Sequence, residues 1–408
     1  MNLSAEVVVV GGGPAGAAAA ITLARKGHDV VLVDKARFPR DKFCGDGLTA
    51  SALRHLQALG LRQESVPSWH NVEEVFVRGP SGHAVRFPLP GDGVFAAVAP
   101  RAELDSAVLD LARGAGARVN DGHAFTAARV VEGGIEIDVE GLGTVVAGYA
   151  IGADGMWSPL RHAVGAHEDG YLGDWHAFRQ YFAGVGPAAS ALWVWFDADL
   201  LPGYAWSFPV GGGRANVGFG IQRDSGIAVR EMKHMWPEIL ARPHVREVLG
   251  DAAHPEGPHR AWPIPARVDR VALTAAGGRV LFVGDAAAAT DPMTGEGIAQ
   301  ALLTGQRAAE AVMAAGPSLP LEAAACYEKA VRRDLFADHR MSGLLSRALS
   351  HRKGVRIALR VAGASGWTRR NFGRWLFEDY PRAVMVTPRR WHRGALHGPG
   401  AFGQTPGP

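Results

Sequence analysis

The chain has 408 residues, of which 47% are hydrophobic and 20% charged, with a formal net charge of +3 and two cysteines. That length allows a large core and two or three structural units, while Cys44 and Cys326 can form neither a disulfide framework nor a metal site. No apolar run approaches the roughly 18–20 residues that span a bilayer and no secretory leader opens the chain, so the expectation is a cytoplasmic protein, with peripheral membrane contact left open. Residues 6–10 form a short β-branched run, read as a buried parallel strand. A turn over 11–16, an alanine-rich helix over 17–26 closed by Gly27, and a strand ending at Asp34 complete one βαβ unit. A helix is expected over 49–59 and a hairpin over 72–87 around Gly79-Pro80-Ser81-Gly82. An amphipathic helix is expected over 101–113. Strands are expected at 178–185, 192–196, 204–208 and 215–221, then a buried strand at 279–283 and a long helix at 297–315. The remainder reads as helical and basic, with a Gly/Pro-rich end expected to fray.

Within the first unit, Gly11-Gly12-Gly13-Pro14-Ala15-Gly16 meets the G-x-G-x-x-G pattern in its strand–turn–helix setting. Gly11, Gly13 and Gly16 permit the tight turn and close backbone approach, and Pro14 and Ala15 open a helix whose N-terminus favours a pyrophosphate. Asp34, followed by Lys35, stands where a carboxylate accepts ribose hydroxyls. It would repel a 2′-phosphate, which favours FAD or NAD over NADP. Further on, Gly152-Ala153-Asp154-Gly155-Met156-Trp157-Ser158-Pro159-Leu160-Arg161 resembles the Asp-Gly motif of flavin hydroxylases. Val280-Leu281-Phe282-Val283-Gly284-Asp285-Ala286 resembles their Gly-Asp motif, whose aspartate meets the FAD ribityl chain. Asp291-Pro292-Met293-Thr294-Gly295-Glu296-Gly297, running into Ile298, resembles the turn whose backbone donors face the flavin's pyrimidine edge. Arg101, with Glu103-Leu104-Asp105 behind it, matches the arginine those families place near the FAD phosphates.

Two stretches sharpen the resemblance. Pro39, Lys42, Cys44 and Gly45, followed by Asp46-Gly47-Leu48-Thr49, are similar to the cysteine loop of the geranylgeranyl reductase family, FAD enzymes that hydrogenate isolated double bonds of isoprenoid chains. Tyr204, Trp206, Phe208 and Pro209 match that family's Tyr-x-Trp-x-Phe-Pro stretch. The likeness covers roughly residues 5–315. It implies an α/β fold in which a Rossmann-type FAD-binding domain (1–70, 96–165 and 270–340) is interleaved with an antiparallel β-sheet substrate domain (71–95 and 166–269), as in flavin hydroxylases. A helical, basic C-terminal region (341–408) follows.

The implied reaction transfers hydride from reduced FAD to one alkene carbon and a proton to the other. Cys44 leads as proton source, with Tyr204 or a held water as alternatives; a small buried structural cysteine is the competing reading. Arg40, Cys44 and Gly45 fall beside the cofactor. Lys42 and Gly47 fall beside the substrate, although Arg40 and Lys42 read equally well as a phosphate clamp or as solvated loop charges. Tyr204, Trp206 and Phe208 share one strand face and offer an aromatic wall to a polyprene, or fill the sheet's core; Trp193, Trp195 and Phe196 extend that wall or fill the core. A monooxygenase acting on a hydrophobic substrate is the alternative on the same scaffold, and an FAD-bound lipid carrier the non-enzymatic one. A flavin halogenase is excluded, because no lysine stands between Lys42 and Lys233 to serve as its active-site lysine. With no second nucleotide fingerprint, an external reductant, NAD(P)H or ferredoxin, would bind transiently.

From Arg352 to Arg393 the chain carries ten arginines and one lysine against Glu378 and Asp379. Arg352, Arg356 and Arg360 recur every four residues with Val355, Leu359 and Ala362 among them. On a helix this gives a basic stripe beside an apolar one, the pattern of an interfacial helix or of a solvated helix packed on the protein. No nucleic-acid-binding module accompanies it, so nucleic acid is not an expected partner.

Overall fold

The computed structural model describes residues 3–387 and 397–403. Strand Leu3–Val10 runs into helix Pro14–Ala24 and returns as strand Val30–Asp34. The Val7–Val10 side chains are buried in one core with helices Pro14–Ala24 and Ile298–Ala315 and with the strand residues Ile135, Ile137 and Val139. In sheet order Val280–Phe282, Gly143–Gly152, Leu3–Val10, Val30–Asp34 and Arg118–Asp121 lie side by side and parallel. An antiparallel flap, Phe125–Val131 and Gly134–Val139, extends from this core. Val10 pairs with both Val33 and Gly152, so the carboxyl ends of three strands meet at one edge. In open α/β sheets that edge is where ligands bind.

The second sheet has seven strands, ordered His254–Ile264, Trp175–Ala183, Arg214–Gln222, Tyr204–Gly211, Leu192–Trp195, Glu74–Arg78 and Ala84–Pro88. It is antiparallel except where Leu192–Trp195 runs parallel to Glu74–Arg78. That single parallel pair arises because the hairpin at 74–88 and the strands from 175 onward are separated in sequence by the whole flap and return to one sheet. The strand His254–Ile264 had no counterpart in the sequence expectation, and neither did the helices Met232–Leu240 and Pro243–Leu249.

Beyond helix Ile298–Ala315 come Pro320–Val331, Ala337–Leu349, Arg352–Ala362 and Gly366–Leu376. Helix Arg352–Ala362 turns Val355, Leu359 and Ala362 inward, against Val75, Val77 and Val85 of the hairpin. The apolar stripe read from the sequence is therefore covered by protein. Of the arginines in this region, Arg374 is buried against Asp379, and Arg382 against Glu378 and the carbonyls of Trp375 and Leu376. Arg352, Lys353, Arg356, Arg360, Arg369 and Arg370 remain exposed. Arg389, Arg390, Arg393 and the last residues from 404 lie outside the described residues; the described part of the Gly/Pro-rich end does not fray, because Ala401 bridges Val94 and Gly400 N donates to the Asp92 carbonyl.

Candidate active site

The glycine turn is shaped by backbone contact. Gly11 has φ +110°, and a Cβ there would lie 2.2 Å from the Ala153 carbonyl oxygen. A Cβ on Gly16 would lie 1.9 Å from the Gly11 carbonyl oxygen, so Gly16 acts by letting helix and turn close on each other and does not itself line the cavity. Asp34 is fixed by two backbone donors, Gly12 N to Oδ2 at 2.7 Å and Ala36 N to Oδ1 at 2.8 Å. Above this edge opens a continuous cavity of about 1460 Å³. Gly11, Gly13, Pro14, Ala15, Asp34, Lys35 and Arg40 line one arm; Asp154, Gly284, Asp285, Gly295, Gly297 and Ile298 line the middle. A helix N-terminus, a cation and a rigid carboxylate at a sheet edge are the donor set an adenine dinucleotide requires, and the cavity has room for one.

Pro292 stands outside the lining; its carbonyl accepts Trp175 Nε1 at 3.0 Å. Asp154 lines the cavity, but both its oxygens are engaged, by Ser158 Oγ at 2.6 Å and Leu160 N at 2.9 Å, where they cap the helix Pro159–Ala163. Arg161 ties the two distant motifs together: its Nε donates to the Ala286 carbonyl at 2.6 Å and its guanidinium lies over the Phe282 ring. Arg101 forks onto Asp105 at 2.7 and 2.8 Å, and Arg40 reaches the same carboxylate at 3.0 Å.

Cys44, Gly45 and Gly47 lie where the dinucleotide arm meets an apolar one. Burial pushes the Cys44 thiol up to about 11, against the pull of the Arg101 guanidinium beside it. At neutral pH the thiol is thus held protonated, as a proton donor must be. Tyr204, Trp206 and Phe208 face the cavity in a row, with successive ring centroids 6.0 Å apart. Pro209 projects from the other face of the strand and is buried outside the lining. Of the other aromatics considered, Phe196 joins the wall, Trp195 is fully buried in a separate core, and Trp193 stacks on Phe76. Burial raises the Tyr204 phenol, whose hydroxyl donates to the Thr294 carbonyl. Lys42 lies 4.6 Å from the Trp262 ring, and burial lowers its pKa while Asp285 opposes that fall.

Several side chains at this junction were missed in the sequence. Asp46 is fully buried, Arg179 and Asn216 both donate to the Cys44 carbonyl, and Tyr181 donates to Asp46. Glu296, between Gly295 and Gly297, accepts from Ile298 N and Ala299 N, and burial raises its pKa. For Asp46 and Glu296 the available signal was a polar residue inside a tight Gly-x-Gly turn, which a solvent-facing loop explains equally well; Arg179, Tyr181 and Asn216 lie in strands and carried no such signal.

The apolar arm runs from Val77, Leu192 and Val194 across to helices Ala337–Leu349, Arg352–Ala362 and Gly366–Leu376. Among the described residues, those lining it from 345 to 384 carry no charge. It reaches the surface at Val361 and Trp367, which are 63% and 60% exposed.

A family profile described as "FAD binding domain" matches residues 4–305. The chain is 36% identical to a menaquinone reductase of Mycolicibacterium smegmatis over 337 residues, 78% of each chain. It is 32% identical to digeranylgeranylglycerophospholipid reductase 2 of Methanopyrus kandleri over 314 residues, 75% of this chain and 76% of the relative. Its fold is similar to the crystal structure of a geranylgeranyl bacteriochlorophyll reductase-like protein from Thermoplasma acidophilum, with a TM-score of 0.79 at 21% identity, over 95% of this chain and all of that one.

Proposed function

We propose, for a chain that belongs to the FAD binding domain family and within it to the geranylgeranyl reductase family, that it hydrogenates C=C bonds of a membrane-resident isoprenoid, a prenyl lipid or a polyprenyl quinone. The observation that carries this reading is the single cavity that joins a dinucleotide arm to a long uncharged arm at the Cys44 loop. Reduced FAD, when bound, supplies the hydride. The chain's own residues have the remaining tasks. The 11–16 turn, Asp34 and Arg40 would hold the dinucleotide, with the 284–285 and 295–298 segments lining the middle of the cavity. Tyr204, Trp206, Phe208 and Phe196 grip the apolar chain and exclude water from the reacting carbons. Cys44 keeps its proton at neutral pH and gives it to the second alkene carbon. Within the cavity Lys42 and Arg260 stand away from the uncharged arm, so that arm suits the apolar chain of a substrate whose headgroup stays at the mouth.

The mouth supports the membrane part of the reading. Ile357, Val361 and Trp367 are exposed there, among Arg352, Lys353, Arg356, Arg360, Arg369 and Arg370. Apolar side chains ringed by cations match an anionic bilayer. Co-sedimentation with vesicles tests it: equal binding to neutral and anionic vesicles would sink the electrostatic docking.

Mass spectrometry of prenyl lipids, polyprenyl quinones and prenyl diphosphates after incubation with dithionite-reduced protein tests the reaction. A gain of two hydrogens under nitrogen is expected. An added oxygen atom in air, with unchanged lipid under nitrogen, would mean oxygenation instead. Replacing dithionite by NADH, NADPH or reduced ferredoxin identifies the external reductant, which we take to be one of these.

A further inference from the structure

We propose that Asp46 is a positioning residue for the reduction, locking the Cys44 loop and the Trp206 ring into one register. The carboxyl group is fully buried, on a residue held in the left-handed region at φ +65° between two glycines. A non-glycine residue there carries strain, and an unpaired buried charge is costly. Three donors from three elements offset that cost. Tyr181 Oη donates to Oδ2 at 2.5 Å, Asn216 Nδ2 to the same oxygen at 2.8 Å, and the Arg101 backbone N to Oδ1 at 3.2 Å. Burial pushes this carboxyl up, but every neighbour donates to it, so the ionised form is the one that fits.

Asn216 makes the arrangement more than a local staple. Its Nδ2 also donates to the Cys44 carbonyl at 2.9 Å, and its Oδ1 accepts from Trp206 Nε1 at 3.2 Å. Asp46 therefore fixes an amide that holds the cysteine loop with one end and the aromatic wall with the other. Arg179 adds a second donor to the Cys44 carbonyl at 3.3 Å, its guanidinium lying 4.3 Å from the Tyr181 ring. The charged and titratable groups facing Cys44 are Arg101, Asp46 of its own loop, Glu296 and Tyr204. Of these, Asp46 and Glu296 favour the protonated thiol and Arg101 the thiolate.

The test uses the holoprotein with Asp46→Asn and Tyr181→Phe, and only its kinetic arm rests on the reductase reading. With full FAD content, Asp46→Asn is expected to lower kcat per bound FAD by ~10–100-fold, the scale of a small misplacement of reacting groups, with KM changed less than threefold. Removing the carboxylate's charge should also move the midpoint of Cys44 alkylation by iodoacetamide to lower pH, read by peptide mass spectrometry against the exposed Cys326. Tyr181→Phe keeps that charge, so kcat should fall without the alkylation shift; it also stands in should Asp46→Asn fail to fold. A kcat per bound FAD within threefold of wild type in whichever variant folds overturns the proposal, as does a loss explained by flavin content alone. Should the wild type reduce no prenyl substrate, the alkylation profile of Asp46→Asn decides by itself: a shift upholds the coupling to Cys44, and an unchanged profile removes it. If that variant also fails to fold, Tyr181→Phe is read by the rate of Cys44 alkylation at one fixed pH, the midpoint being expected to stay: a rate equal to that of the wild type removes the positioning role.

Discussion

At the scale of single residues, what distinguishes this site is how burial sets proton affinity. The Cys44 thiol is pushed up to about 11, and Cys44→Ala should remove the proposed proton donor without disturbing the dinucleotide arm. The expected result is a loss of ~100-fold or more in the rate of alkene reduction with unchanged FAD content, measured by single-turnover reduction of prereduced protein. Glu378, held at φ +55°, behaves differently. Burial raises its carboxyl from an ordinary 4.5 to about 8, with Arg382 opposing and Glu296 reinforcing the rise. The folded protein therefore binds this proton more tightly than the unfolded chain does. Its favourable share of stability is complete below the unfolded value and is lost as pH rises through the folded one. Thermal unfolding from pH 5 to 8.5 should show stability falling across that window, and Glu378→Gln should flatten the fall.

Between elements, close approach explains several small residues that the chain's composition does not. A Cβ on Gly218 would lie 2.3 Å from Trp206 Cζ2 and 2.3 Å from the Phe178 carbonyl oxygen. Gly218→Ala should therefore force the aromatic ring and the adjacent strand apart at a cost of about 1–3 kcal/mol, seen as a lower denaturation midpoint. Its effect on prenyl reduction should exceed that of Gly212→Ala, which lies in an open turn. The strand His254–Ile264 shows why some elements were illegible. Pro255, Pro258, Pro263 and Gly257 make it read as a loop, yet it pairs with Trp175–Ala183 at the edge of the sheet, where a proline need not donate. Through it comes Trp262, the ring that receives Lys42. Helix Met232–Leu240 contains Pro237, a residue whose usual meaning is the end of a helix.

For the molecule as a whole, the decisive feature is that two sheets and a helical C-terminal layer enclose one cavity. Its apolar arm exists only because helices Arg352–Ala362 and Gly366–Leu376 close over the hairpin at 74–88. Ala358 lines that arm, so Ala358→Trp should abolish reduction of long polyprenyl chains while sparing short ones and leaving FAD content unchanged. Mass spectrometry across a chain-length series checks it, and equal loss at every length would count against the arm as the chain's berth.

The sequence by itself determined the βαβ unit, the glycine turn with its carboxylate at Asp34, the Cys44 loop and the alternation that aligns Tyr204, Trp206 and Phe208. These are local patterns, because each depends on residues a few positions apart and on backbone geometry with a fixed period. Only the tertiary structure decided that Val355 and Leu359 turn inward, that Arg374 pairs with Asp379 and Arg382 donates to backbone carbonyls in the interior, and that Asp46 meets Tyr181 and Asn216 across 135 and 170 residues of sequence. A polar residue in a glycine turn has the same local pattern whether solvent or three donors face it. The difference lies in what packs against the turn, and that is set by contacts between elements distant in the chain.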